Sequence, residues 1–292
     1  MNLEIISAGT AYSLSDGTLT YLLGYSGCGM APQTIISEKG PMQHGDTHVG
    51  FRLAPRTVQL ALELPATSLA TLETAKANLM AIFTHGNDLT LRWTQDNGNV
   101  RDLACVFAGD MDMASADKLG YHQNVGVTLR AADPTWYDPA AVTLNFGLTP
   151  GGDAMDVPLA IPWKVGRSGL NQTITFTYGG TFRSYPWIRI VGPVTDCAIT
   201  NDTTGETLDF DGVTIAADHY YDVDCAYGVK TVTDNHGTNK IADLTAASDL
   251  ASFHIAAHPE AVSGINDITV TGTSVTAATQ VYMRYYTRYV GV

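Results

Sequence analysis

Val58-Gln59-Leu60-Ala61-Leu62-Glu63-Leu64-Pro65 alternates large apolar residues with polar or small ones, the period of a strand with one buried face, and Pro65 ends it. A helix is expected next. Ser68 can cap its N-terminus, and Leu69, Leu72, Ala75, Leu79, Ile82 and Phe83 recur at three- and four-residue spacing. Gly86 follows where a left-handed residue closes a helix. No other segment carries the pattern of a long helix, so this one reads as an amphipathic helix lying on a sheet. Downstream, Asn97-Gly98 separates residues 89–94 from 100–107, the signature of a two-residue hairpin whose central positions both need positive φ. Val125, Val127 and Leu129 then alternate into the corner Asp133-Pro134-Thr135-Trp136-Tyr137-Asp138-Pro139.

The chain has 292 residues, enough for two domains of ordinary size. Residues 140–162 hold Gly147, Pro150, Gly151, Gly152, Pro158 and Pro162 with little periodicity and read as a linker, dividing a domain over 1–145 from one over 146–292. Beyond it β segments are expected at 173–178, 187–191, 197–200, 212–215, 220–225, 252–255, 265–270 and 280–289. Spacing of roughly ten residues with Gly, Asn and Asp between strands points to a β-sandwich. The fold class is therefore mainly β with one helix (α+β).

In order and spacing these residues resemble the siphophage distal tail proteins, the baseplate hub family also called the siphovirus-type tail component. The likeness takes in the turn Gly40-Pro41-Met42-Gln43-His44-Gly45, the step Leu53-Ala54-Pro55-Arg56, the alternating strand, the helix, the Asn-Gly hairpin and the tryptophan corner. It continues more weakly through Ser184-Tyr185-Pro186-Trp187-Ile188-Arg189-Ile190-Val191-Gly192-Pro193, Ser248-Asp249-Leu250 and Gly264-Ile265-Asn266. The resemblance implies a split-barrel-like β domain with helix and hairpin over 1–145, forming a homohexameric ring, and a galectin-like sandwich over 146–292. Sequence pattern alone does not separate that sandwich from a jelly roll or an immunoglobulin-like one. The implied function is that of a virion structural protein, made in the host cytoplasm and placed at the phage tail tip. Its implied partners are other copies of itself, the tail tube protein, the tail-tip or tail-associated protein and the receptor-binding proteins. Asn97, Gly98 and Asn99 are the candidate intersubunit arm.

Formal charge is −13, with acidic residues in excess in both halves. A protein gripping nucleic acid through phosphates needs a basic patch, and only Arg284 and Arg288 stand close together late in the chain, so stable nucleic-acid binding is not expected. Solubility accounts for the acidity first, and the lining of a conduit through which DNA slides is the second account. No apolar run approaches the roughly 20 residues that cross a bilayer, and residues 1–6 lack the basic end and apolar core of a signal peptide. Membrane insertion is not expected, and synthesis in a cytoplasm is. Cys28, Cys105, Cys197 and Cys225 have no close ligand spacing and read as buried free thiols, although a Cys197–Cys225 bridge is sterically conceivable.

Catalytic signatures are missing. Gly24-Tyr25-Ser26-Gly27-Cys28-Gly29 has neither the spacing of a nucleophile elbow nor a following helix, and no phosphate-loop lysine occurs. No cofactor is nominated. His44, Asp46 and His48 lie at even spacing and form the best metal candidate, from which a metal-dependent hydrolase is the least favoured alternative; a polar turn with locally bonded histidines is the simpler reading. Asp218, Tyr220, Asp222 and Asp224 alternate like the wet face of a strand and lack the register of a calcium loop. Trp136, Trp163, Trp187, Tyr185, Tyr220, Tyr221, Tyr285, Tyr286 and Tyr289 could stack on sugars, which makes a carbohydrate-binding adhesion module the main alternative, with core packing and subunit contact as the account preferred.

Overall fold

The computed structural model describes residues 2–84, 86–109, 111–114, 118–147 and 169–292. The chain forms two compact units, one of residues Met1–Pro139 with Arg288–Val292 and one of Ala140–Thr287. Trp163 and the expected linker positions Pro150, Gly151, Gly152, Pro158 and Pro162 lie outside the described residues.

The first unit runs β1 (Asn2–Ser7), β2 (Thr10–Ser13), β3 (Tyr21–Ser26), β4 (Gln33–Glu38), β5 (Thr47–Leu53), β6 (Arg56–Leu64), α1 (Leu69–Ile82), β7 (Leu89–Thr94), β8 (Val100–Phe107), β9 (Lys118–Leu119), β10 (His122–Ala131) and β11 (Trp136–Tyr137). Its main sheet has the order β2-β1-β7-β8-β10-β6-β3. The alternation of β6 is what buries it: Val58, Leu60, Leu62 and Leu64 are at most 2% exposed, each stabilising the fold by about 1.5–3 kcal/mol relative to exposure. Antiparallel β10 matches it residue for residue from Arg56↔Ala131 to Leu64↔Gln123, which sets Val125, Val127 and Leu129 into the same core. Continuity between β8 and β10 rests on two residue pairs, Leu129↔Phe107 and Arg130↔Val106, so the sheet is nearly split there.

Helix α1 begins as its cap residue dictates. The Ser68 hydroxyl accepts from the Thr71 N–H at 3.2 Å, and Thr71 reciprocates toward the Ser68 backbone. Leu72, Leu79, Ile82 and Phe83 reach the core, and Gly86 takes φ +87° just beyond. Leu69 differs from expectation: it is 54% exposed in the first turn of the helix, and burial of the stripe begins at Leu72.

In the second unit β12 (Val142–Gly147), β13 (Gly169–Thr177), β14 (Trp187–Val191), β15 (Val194–Asn201), β16 (Glu206–Ile215), β17 (Tyr220–Asp224), β18 (Thr231–Asp234), β19 (Ile265–Thr273) and β20 (Gln280–Tyr285) make two antiparallel sheets, β12-β20-β14-β17-β18 and β13-β19-β15-β16. Phe146, Ile188, Ile190, Ile199, Phe210, Val223, Ile268 and Val281 come from both sheets into one core, which makes the unit a β-sandwich. Three expectations are corrected here. Residues 142–147, read as linker, are a strand paired along its length with β20, since Phe146 completes the core. Residues 252–255 are not a strand; a single bridge joins Ile255 to Ser184. The expected last strand over 280–289 stops at Tyr285, and Arg288–Tyr289 pair with β11 in the first unit.

All four cysteines are free and buried. Burial pushes the thiols of Cys105, Cys197 and Cys225 up to about 12 and that of Cys28 up to about 11, Arg56 opposing the rise at Cys28. Among the described residues no helix is long and apolar enough to cross a membrane.

Candidate functional site

Strands β4 and β5 form a two-stranded sheet with no ladder to any other strand among the described residues. Their sequences alternate weakly, but neither face finds a core in the unit: every residue of β4 is exposed. Ile35 pairs directly with Phe51, so both side chains lie on one face, and they are 61% and 54% exposed. Val49, two residues before Phe51, is 57% exposed, and Met42 at the tip is 99% exposed. A lone two-stranded hairpin is marginal in water. One that shows a row of large apolar side chains and open edges has the character of a contact surface.

The hairpin is fastened at its root. Ala54 N–H donates to Pro32 O at 2.8 Å, closing the two strands. Arg56, fully buried, follows at once: Nε donates to Pro134 O (2.9 Å), Nη1 to Gly27 O (2.7 Å) and Gly29 O (2.6 Å), and Nη2 to Val290 O (2.6 Å). Its guanidinium lies 5.8 Å from the ring of Trp136. Burial lowers the Arg56 pKa from its ordinary value, and among the described residues no carboxylate forms an ion pair with it, so carbonyl dipoles carry the compensation. Gly27 holds φ +84°, and a Cβ there would stand 2.0 Å from Thr57 O, which explains why the turn into this root takes glycine.

Asn97-Gly98-Asn99 sits between β7 and β8 as an exposed polar turn. Gly98 N–H donates to Gln95 O (2.9 Å), Gln95 N–H to Asn99 O (2.8 Å), and Asn99 N–H to the Asn97 side chain (3.0 Å). Gly98 alone takes positive φ, at +85°, so this is a four-residue turn closed by a left-handed glycine rather than the two-residue type expected.

His44, Asp46 and His48 are all exposed at the outer end of the β4–β5 hairpin. Gln43, not a histidine, organises the turn, accepting from Gly40 N–H at 2.9 Å and donating to Thr47 Oγ1 at 2.9 Å. No group of three potential ligands among the described residues is arranged to hold a metal ion. In β17, Asp222 is engaged by Arg189 at 2.7 and 2.8 Å, and Asp224 accepts from Ala226 N–H at 2.8 Å, so these carboxylates serve the sandwich surface.

The aromatic residues divide by environment. Trp136, Tyr221 and Tyr285 are buried and cannot present a ring to a sugar. Tyr289 lies under the Arg101 guanidinium at 3.9 Å. On the outer face of the five-stranded sheet, Arg189 lies 5.0 Å from the Trp187 ring and 4.0 Å from that of Tyr220, occupying the faces a pyranose would use. Tyr286 has Arg284 at 5.6 Å, and Tyr185 packs edge-on against Tyr227 with Lys230 at 4.9 Å.

The fold as a whole can be matched to a solved structure. The chain aligns with the crystal structure of the SPP1 Dit protein over 98% of both chains, at a TM-score of 0.67 and 11% sequence identity. It has the fold of that Dit protein. SPP1 Dit is described as a paradigm of the hub adsorption apparatus in phages that infect Gram-positive hosts. The baseplate of phage P2 in its activated conformation with calcium contains a chain aligned over 100% of this one and 99% of its own length, at 11% identity and a TM-score of 0.49. No family model matches the sequence. No curated protein sequence matches it either.

Two features of the site were missed in the sequence. The hairpin root was read as a step into β6, and Arg288-Tyr289 as the end of a strand in the second half. The run Thr34-Ile35-Ile36 facing Val49-Gly50-Phe51 across a turn rich in Gly and Pro signals the hairpin but not the contacts at its root. No local signal marks the second.

Proposed function

We propose that the chain is a structural subunit of a phage tail hub, closing with other copies into a hexameric ring at the distal end of the tail tube. The observation that carries this reading is the agreement of fold with SPP1 Dit along essentially the whole of both chains. The detached apolar hairpin supports it, because heterologous contacts repeated around a ring need a patch on each subunit that its own fold leaves uncovered. In this reading the first unit forms the ring and contacts the tail tube protein and the tail-tip or tail-associated protein. The second unit carries or contacts receptor-binding proteins. The role is one of assembly and not of catalysis.

Two turns of the first unit are available as the intersubunit arm. Asn97, Gly98 and Asn99 offer a compact polar tip, whereas β4–β5 offers Ile35, Val49 and Phe51 on an extended ribbon. The second is the better arm, since subunit contacts gain most from apolar area removed from water. Mass measurement of the purified protein, alone and with its tube and tip partners, followed by electron microscopy, tests the assignment. A ring of six copies with a central opening is expected. Monomers that leave no density at the tail end when the partners assemble would overturn it.

A further inference from the structure

Three segments distant in sequence meet at the root of the β4–β5 hairpin. Residues 28–31 lead into β4, Arg56 follows β5, and Arg288–Val292 arrive from the far end of the chain. Ala31 N–H donates to Val290 O at 2.9 Å, Val292 N–H to Cys28 O at 3.4 Å, and Arg56 reaches the same Val290 carbonyl. Gly291 passes so close to this loop that a Cβ on it would stand 2.7 Å from Gly29 O. At its other end the segment is held by strand pairing of Arg288–Tyr289 with β11, by an ion pair from Arg288 to Asp133 and by a hydrogen bond from Arg288 to Thr135 Oγ1 at 2.8 Å.

We propose that Arg288–Val292 is a strap, an added strand bound between β11 and residues 28–31, whose engagement sets the direction in which the β4–β5 hairpin leaves the first unit. Among the described residues the hairpin has no ladder to the main sheet that could fix that direction. Its root is held by the Ala54–Pro32 bond, by Arg56 and by the strap, and of these only the strap is a short, separately removable segment. The strap is also the covalent continuation of β20, which ends at Tyr285 and is joined to Arg288 through Tyr286-Thr287 alone. A change that draws on the end of β20 therefore acts on the strap, and through Val290 on the hairpin root, without any break in the β6–β10 ladder. The inference concerns the single chain and stands apart from the hub assignment.

Hydrogen exchange on the full chain, on Gly291→Val and on a chain ending at Thr287 tests it. In both variants the Ala31 amide should lose protection by about tenfold or more, while the amides of the β6–β10 ladder, Val127 among them, keep theirs. Unchanged protection of Ala31 in a folded Gly291→Val protein would overturn the proposal. Equal loss at Ala31 and throughout the β6–β10 ladder in both variants would overturn it as well, since the segment would then be part of the cooperative core and not a strap.

Discussion

Ile35 and Phe51 face each other across the β4–β5 ladder, on the same side of a ribbon that pairs with no other strand among the described residues, and each is more than half exposed. Replacing both with serine removes apolar area that the isolated subunit does not bury. Stability of the single chain should change by no more than about 0.5 kcal/mol, while assembly weakens. Asn99→Arg supplies the counterpart, placing bulk and charge on the polar Asn97-Gly98-Asn99 turn. Sedimentation or light scattering of the three proteins at matched concentration separates the two arms: loss of the ring in the serine variant with a normal Asn99→Arg ring is expected, and the reverse pattern assigns the arm to the Asn-Gly turn.

The helix gives a graded test of packing. Leu72 and Leu79 are fully buried, so Leu72→Ala or Leu79→Ala should cost about 2–5 kcal/mol, depending on how far the site collapses. Leu69→Ala at the exposed end of the same stripe should fall within about 0.5 kcal/mol. Urea unfolding of the three variants checks the order. A similar cost at all three positions would mean that the first turn of α1 is packed against something.

How much of this was legible follows from which interactions are local. The strand of β6, the cap at Ser68 and the alternation of β10 depend on residues within a few positions of one another, and their periods declare the buried face. The helix stripe misplaced only Leu69, because a period tells which residues share a face and not where along the helix burial begins. The Asn97-Gly98 turn was found but mistyped, since Gln95 and Asp96 join it through backbone bonds that no residue identity announces. The root of the hairpin was invisible for a stronger reason. Arg56 reads as one more polar residue before a strand, and its four carbonyl partners are brought together only by the finished fold. An exposed hairpin and a returning terminal segment are properties of the tertiary arrangement, and the local pattern of Arg288-Tyr289-Val290-Gly291-Val292 would serve any edge strand.

Alkaline pH should loosen the fold through its thiols. Burial holds Cys105, Cys197 and Cys225 at about 12 and Cys28 at about 11, against 9.0 for the free side chain, while Tyr285 is raised to about 12 from 10.0. The sign follows from the folded values lying above the unfolded ones. Stability is fully present below pH 9 and is lost as pH climbs from there toward 12, because the unfolded chain releases protons that the folded chain keeps. At pH 10 each fully buried thiol should account for a loss on the order of 1 kcal/mol. Urea midpoints at pH 8 and pH 10 measure it, and Cys225→Ala should show a shallower fall between them. Equal midpoints at the two pH values would mean that the thiols titrate as if exposed.

Arg56 is the residue whose loss should be felt most sharply in the first unit. Its guanidinium is fully buried and its N–H groups serve carbonyls at Gly27, Gly29, Pro134 and Val290, so Arg56→Met leaves those oxygens without their donor in a site that excludes water. A loss of about 3–5 kcal/mol is expected, since four buried carbonyl oxygens lose their donor at once. Arg56→Lys should not rescue it. An ammonium keeps the charge but gathers its three donors on one nitrogen, which cannot span oxygens set around a planar fork, and a loss of about 2 kcal/mol or more should remain. Urea unfolding followed by tryptophan fluorescence in a Trp163→Phe, Trp187→Phe background, which leaves Trp93 and Trp136 of the first unit, the latter 5.8 Å from the guanidinium, reports the transition of this unit. A change within about 0.5 kcal/mol in Arg56→Met would mean that the carbonyls find other donors, and that the hairpin root is held without the arginine.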